Sequence, residues 1–359
     1  MGKILHAISK GEYGGAQSSL LSYIRALPEY ESHVIYGGAD AHLNMLLRQV
    51  NVSHIAKYNI LSSPFNLNFL TLFKRLRQLI KQNNYDYIIT HSFVASIIIR
   101  LCLFGLPQKT TYVVHGFVGN ANVPFRKRAI GLLLEFFTRS KVEKVIALSS
   151  SEKSNIQKIF KNLEILILPN TTYIGDLVSE IKAAANTDKN IILCLSRFAP
   201  PKRNKLIAEA FSASDLANSN LWELHFYGNG PELSNIQDRM KHSPNMKFYE
   251  PVLDVFQILS DAKILALFSN HEGLPMTILE AFALGTEVVC SDIEELREFE
   301  KYGFKYCLVS NSKHALIDYF NHIEQKMDDV EMRAKHNVAT FHNALSPDKF
   351  SKRLNNFLA

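Results

Sequence analysis

Along the first half of the chain, short continuously apolar runs alternate with stretches whose apolar positions recur at helical spacing. KILHAIS (3–9), SHVIYGG (32–38), YDYIITH (85–91), KTTYVVHG (109–116), KVIALS (144–149) and EILILPN (164–170) read as strands. None shows the in–out alternation of a strand with one wet face, so both faces are expected to be covered, as in a parallel sheet between helices. Ala16 to Leu27, Asn68 to Lys81 and Arg126 to Ser140 predict helices between them. The second half repeats the pattern with NIILCLSR (190–197), WELHFYGNG (222–230), NMKFYEP (245–251), KILALFS (263–269), TEVVCSD (286–292) and KYCLVS (305–310), and Asp348 to Leu358 predicts a closing helix. Strands alternating with helices, twice over, predict an α/β chain of two doubly wound, Rossmann-like domains that face each other across a ligand-binding cleft. A length of 359 residues fits two cores better than one. The expected boundary lies between Asn170 and Asn190, where AAANTDKN is small and polar.

Composition narrows the class. Hydrophobic residues at 47% and charged residues at 21% describe a soluble globular protein. Cys102, Cys194, Cys290 and Cys307 lie far apart without a CxxC pair, and three sit in apolar runs. That usage predicts reduced core cysteines in a cytoplasmic protein, not disulfides or a zinc site. MGKILHAISKGEYGG lacks the apolar core of a signal peptide, and no apolar stretch reaches the roughly 18 residues of a membrane span. Charge is uneven: residues 1–170 carry 20 Lys+Arg against 9 Asp+Glu, while the rest carry 20 against 25. The basic first half predicts an anionic partner: a membrane surface, nucleic acid or a phosphorylated ligand.

Four segments could carry chemistry. In SNHEGLPMTILEAFALGTEVVCSD (269–292), Glu272 precedes a predicted helix at Met276–Leu284 and Glu280 follows about one turn inside it. Free backbone N–H groups around Gly273 and Leu274 suit an anion or a hydroxyl-rich group. A polyol would satisfy both carboxylates; alternatively, Glu272 complements the helix dipole and Glu280 lies at the surface. In LSRFAPPKR (195–203), Arg197 and Lys202 flank a loop before the helix from Asn204, an arrangement that suits a diphosphate or is simply a solvated basic loop. GEYGGAQ (11–17) is neither a dinucleotide fingerprint nor a P-loop, yet Gly14 and Gly15 let a phosphate or sugar approach the backbone. In VVHGF (113–117), His115 stands at a strand end, as a structural residue or as a catalyst; His91, ending YDYIITH, is similar.

Together these segments resemble the retaining glycosyltransferases of the GT-B fold, specifically glycosyltransferase family 4, in the family's order and over nearly the whole chain. GGAQ resembles the glycine-rich loop of the acceptor-side domain, VVHG its strand-end histidine, LSRFAPPKR the G-R-x-x-x-x-K-G loop, FYGNGPE (226–232) the G-x-G-P turn, and Glu272 with Glu280 the E-x7-E signature. The resemblance implies that residues 1–170 form the acceptor-binding domain and 171–345 the nucleotide-sugar-binding domain, with a helix in 346–359 packing back on the first. It implies Arg197 and Lys202 on the donor diphosphate, Glu280 on the ribose, Glu272, Gly273 and Leu274 against the donor sugar, and the loop Glu250–Leu253, Val252 included, near the base. Gly14 and Gly15 join the donor contacts, and His115 joins Glu272, Arg197 and Lys202 as catalytic. The implied reaction moves a sugar, with retention and without metal or cofactor, from a UDP-sugar more readily than a GDP-sugar to a glycan or lipid-diphosphate-linked acceptor. The chain departs from the family at Thr171, at Arg203, at Glu287 where proline is common, and at IEELREF (293–299) in place of a glycine-rich turn.

NLNFLTLFKRLRQLIKQ (66–82) and FRKRAIGLLLEFFTRSKVEK (125–144) mix basic and apolar residues. Each reads as a core-packed helix with solvated charges, or as an interfacial surface on the inner face of the membrane. No helix-turn-helix or RNP-type motif supports nucleic acid. Two other classes stay open: a GT-B enzyme of another type, such as a nucleotide-sugar epimerase or phosphorylase, and a non-catalytic protein that binds anionic surfaces.

Overall fold

The computed structural model describes residues 2–12, 14–39, 41–63, 68–119, 123–173, 189–252 and 255–359. It divides into two compact units, Met1–Thr171 with Pro347–Ala359, and Thr172–Ser346. Residues 174–188, which hold most of the expected boundary segment, lie outside the described residues.

The first unit is built on a seven-stranded sheet of β1 (Gly2–Ile8), β2 (Tyr30–Tyr36), β3 (His54–Lys57), β4 (Tyr87–Thr90), β5 (Thr110–Val114), β6 (Val142–Ala147) and β7 (Glu164–Ile167). The spatial order is β3-β2-β1-β4-β5-β6-β7 and every pairing is parallel. Successive residues of β2 enter different cores. Ile35 packs with Leu76, Ile80 and Ile98 on one face, and Val34 and Tyr36 pack with Leu20, Leu21 and Ile24 on the other. Covering both faces is what makes these strands continuously apolar.

β3 escapes the sequence reading. It is four residues long, sits at the sheet edge, and alternates half-buried with exposed positions. A short edge strand has one wet side and needs no apolar run. The helix Pro347–Leu358 belongs to the first unit, burying Phe350, Leu354, Phe357 and Leu358. Phe350 meets the Tyr23 ring edge-on at 5.1 Å, Ser351 Oγ donates to the Ala26 carbonyl at 2.9 Å, and Lys144 Nζ donates to that of Leu358 at 2.9 Å.

The second unit has a six-stranded parallel sheet of β8 (Asn190–Leu195), β9 (Trp222–Tyr227), β10 (Met246–Tyr249), β11 (Ile264–Leu267), β12 (Glu287–Ser291) and β13 (Cys307–Val309), in the order β10-β9-β8-β11-β12-β13. The helix Met276–Leu284 ends at Gly285, whose φ of 72° is the left-handed cap that glycine adopts without strain. Glu287, at the position where the resemblance leads one to expect proline, is fully buried and paired at 2.7 Å with Arg333 of the helix Met327–Ala344. Burial still pushes the Glu287 carboxyl up to about 7, against the pull of Arg333. IEELREF runs into a 3-10 helix, Leu296–Tyr302. All four cysteines are free; three are buried and Cys307 is half-buried. No helix among the described residues is long and apolar enough to cross a membrane.

Candidate active site

In the second unit the strand order reverses between β8 and β11, and in an open α/β sheet the C-terminal strand ends at such a reversal are where ligands bind. Both candidate donor loops start there. Their backbones are joined: Lys202 bridges to Ser269, Arg203 N–H donates to Phe268 O at 2.8 Å, and Asn270 N–H donates to Pro201 O at 3.0 Å. Residues 70 positions apart in sequence therefore share one small platform.

Glycines allow the first loop to lie where it does. Gly228 and Gly230 have φ of 155° and 153°, and a Cβ on them would stand 2.1 Å from Ser196 O and 2.5 Å from Phe198 O. Phe198 N–H donates to Asn229 O at 2.9 Å, and Asn204 at the start of the next helix donates to Arg197 O at 3.1 Å. The G-x-G of FYGNGPE thus fits its backbone against the Ser196–Phe198 turn.

On this platform Lys202 Nζ donates to Glu272 Oε1 at 2.5 Å, and Ser269 Oγ donates to the same oxygen. The two charged side chains are only 16% and 10% exposed, so the pair is neutralised locally while remaining within reach of a ligand. A second set of bonds fixes the loop from below. Ser269 N–H donates to Ser291 Oγ at 2.7 Å, Ser291 Oγ donates to Asn311 Oδ1 at 2.7 Å, and Asn311 Nδ2 donates to Ser269 O at 2.9 Å. Ser269, Ser291 and Asn311 were not singled out in the sequence; their only signal is that each follows or ends a strand. Arg197 is exposed on the same loop. Arg203, where glycine is usual, donates to Asn311 O at 2.9 Å and so braces the same network.

Glu280 is buried in the helix Met276–Leu284, which overturns its reading as a surface residue. Its carboxyl is pushed up to about 7 by burial, with no hydrogen bond or cation among the described residues to offset it. Gly273 is exposed with open space at its Cβ position, Leu274 is buried, and Pro275 caps the helix. Val252 is half-buried beyond the end of β10; Leu253 lies outside the described residues. Next to that end, the Tyr227 and Tyr249 rings stack 4.5 Å apart.

In the first unit Gly14 and Gly15 open the helix Gly15–Ala26 after β1. A Cβ on Gly14 would stand 2.9 Å from Gln17 Oε1, and Gln17 Nε2 donates to Lys10 O at 2.7 Å, which pins the turn. His115, past the end of β5, lies against His91 with ring centroids 6.0 Å apart, and His91 in turn bonds to His6 at 3.1 Å between ring nitrogens. His6, inside β1, gave no separate signal in the sequence. Burial lowers all three, His6 to about 3, His115 to about 4 and His91 well below its ordinary value, so the cluster is neutral near pH 7. Glu152 accepts from Gly116 N–H at 3.1 Å and Leu148 N–H at 3.0 Å, fixing the turn after His115, and burial pushes its carboxyl up to about 7.

Both units match families of known proteins. Residues 13–171 match the family model described as Glycosyltransferase Family 4, and residues 178–339 match Glycosyl transferases group 1. The chain is 25% identical over 291 residues to the O-antigen biosynthesis glycosyltransferase WbnH of Escherichia coli, covering 80% of each chain. It is 24% identical over 269 residues to the UDP-Gal:alpha-D-GlcNAc-diphosphoundecaprenol alpha-1,3-galactosyltransferase of the same species, covering 69% of this chain and 66% of that one. Among solved structures, Anabaena Alr3699/HepE in complex with UDP-glucose aligns with a TM-score of 0.81 at 17% identity over 99% of both chains.

Proposed function

Because the chain is a glycosyltransferase of the family 4 type, matched by family models in both units, we propose that it transfers a sugar from a UDP-sugar to a lipid-diphosphate-linked glycan in surface polysaccharide assembly. The observation that carries this reading is the Lys202–Glu272 pair at the β8/β11 switch point, with Arg197 on the same loop and Glu280 in the helix that follows. Support for UDP and for a lipid-linked acceptor comes from the relatives, one a UDP-galactose:diphosphoundecaprenol-sugar transferase and one a structure with UDP-glucose.

In this proposal Arg197 and Lys202 neutralise the diphosphate as the bond from the sugar C1 to the leaving oxygen breaks. The Lys202 ammonium has three donors and gives one to Glu272, which leaves it able to serve a phosphate oxygen as well. Glu272 fixes Lys202 and accepts from sugar hydroxyls through its remaining lone pairs, while the backbone around Gly273 and Leu274 lies along the sugar. Glu280 accepts the two ribose hydroxyls, and Val252 lies near the base. His115, neutral near pH 7, serves as a hydrogen-bonding partner in the reacting region rather than a cation; Gly14 and Gly15 bring backbone N–H groups to the donor. The leaving phosphate takes the acceptor proton on the face from which it departs, so the anomeric configuration is retained. Two protein cations do the neutralising, so no metal is invoked.

The test is transfer from a panel of UDP- and GDP-sugars to a polyprenyl-diphosphate-linked sugar in EDTA, with the product linkage read by NMR. Retention with one UDP-sugar, and a loss of about 100-fold or more in Arg197→Ala, is expected. Donor epimerised without acceptor, GDP-sugar preference, or an inverted linkage would each overturn the corresponding part.

A further inference from the structure

The helix Phe125–Thr138 is built inside out. Its fully buried positions are Gly131, Glu135 and Thr138, and of its large apolar side chains Leu132 packs, half-buried, against the core. Glu135 pairs with Arg100, whose guanidinium lies 4.6 Å from the Tyr112 ring centroid, so a buried ion pair takes the middle of the side that faces the unit, beside Leu132. Its outward positions include Phe125, Ile130, Leu133, Phe136 and Phe137, each between 52% and 74% exposed. A helix at a water-facing surface carries the opposite arrangement, and scattered single exposed apolar residues would need no comment, but five on one helix do.

Cations interleave with these rings. Arg126 and Lys127 are exposed, Arg128 lies 5.9 Å from the Phe125 ring centroid, and Arg139 stacks over Phe136 at 4.0 Å. The helix carries no acidic residue besides the buried Glu135. Beside it a groove of about 640 Å³ has Leu132, Phe136 and Phe160 in its walls with Arg139, Lys158 and Lys161. The other basic-apolar segment behaves differently. In the helix Phe69–Asn83, Leu76 and Ile80 are buried and Phe69, Leu72, Phe73 and Leu79 pack against the core, so its apolar side already has a partner.

We infer that the outward face of Phe125–Thr138, with the Arg139–Lys158–Lys161 groove, docks on an anionic lipid bilayer, its rings entering the acyl boundary and its cations meeting the headgroups. Apolar side chains flanked by Lys and Arg, with no exposed carboxylate on the helix, match an interface that is oily inside and negative at the rim. A protein partner would have to offer the same combination. The inference deepens the reading of a lipid-linked acceptor, since docking would hold the first unit at the surface where such an acceptor is found.

The test needs neither donor nor acceptor, so it stands or falls separately from the transfer reaction. The purified full chain is floated with phosphatidylcholine vesicles and with vesicles containing about 30% phosphatidylglycerol, at low and high salt. Binding to the anionic vesicles alone, weakening with salt, is expected. Arg126→Ala/Lys127→Ala should weaken it about 30-fold on the attraction per basic residue, and Phe136→Ser/Phe137→Ser about 100-fold on the apolar area withdrawn. All four positions are exposed, so thermal melting checks that each variant folds. No binding by the wild type overturns the inference, and so does anionic binding that survives the phenylalanine substitutions. A stable dimer in solution that those substitutions dissociate would instead assign the face to a second copy.

Discussion

Replacing Glu280 with glutamine separates what the residue does for binding from what it costs the fold. Glu280 is 5% exposed, and burial raises its carboxyl from 4.5 to about 7. A carboxyl whose folded value is raised is protonated more readily in the folded state, so the folded protein is penalised once pH exceeds the unfolded value. The penalty is absent below about pH 4.5, grows between there and about 7, and is complete above. At 1.36 kcal/mol per unit the shift corresponds to about 3 kcal/mol. Glu280→Gln keeps the shape and removes the charge. It should raise stability by only about 1 kcal/mol at pH 5 but by about 3 kcal/mol at pH 8, the latter about 5–10 °C in the melting of the second unit. Calorimetry of the same variant should show UDP binding weakened about 10- to 100-fold, the worth of hydrogen bonds to a charged acceptor. In the wild type, ribose hydroxyls donating to Glu280 favour its ionised form. Affinity for UDP should therefore rise as pH increases through about 7, with protons released on binding below that value. A stability gain equal at pH 5 and pH 8, or a loss at pH 8, would refute the burial argument. Unchanged UDP affinity with the expected stability gain would refute only the ribose contact.

Other perturbations test the remaining contacts. Lys202→Ala leaves Glu272, 10% exposed, without its cation, so it should destabilise the second unit by about 3 kcal/mol as well as abolish transfer, whereas Lys202→Ala/Glu272→Gln should recover stability but not activity. Arg100→Met strands Glu135 in the first unit and should cost about 3–5 kcal/mol, and Arg100→Met/Glu135→Leu should return most of it; denaturant melts of the pair and the single variant decide this. Gly228→Ala places a Cβ 2.1 Å from Ser196 O, so it should shift the Ser196–Phe198 turn and weaken UDP binding without touching a charged residue, which calorimetry reads directly.

The order of strands and helices was legible in sequence because burial on both faces writes itself as unbroken apolar runs. All twelve runs read as strands contain one, although β10, at the edge of the second sheet, alternates buried Met246 and half-buried Phe248 with exposed Lys247 and Tyr249, and β3, with its wet edge, wrote nothing. The spacing of Glu272 and Glu280, the cations at Arg197 and Lys202 and the paired glycines Gly228 and Gly230 were equally plain, since each is set by a local turn or cap. What sequence could not contain is the join between distant segments. Lys202 meets Glu272 only because β8 and β11 are neighbours in the sheet, and Ser291 and Asn311 brace them from two further strands. Burial of Glu280 depends on what surrounds its helix, and the His6–His91–His115 cluster on three strands lying side by side. The two basic-apolar helices make the same point most directly. Periodicity gave both an apolar side, but it does not say which side faces in. The core claimed that of Phe69–Asn83, whereas Arg100, buried beneath Phe125–Thr138, drew Glu135 inward and left the aromatic side out. Pairing a buried charge outweighs burying a few more rings when the alternative is an isolated guanidinium in the core.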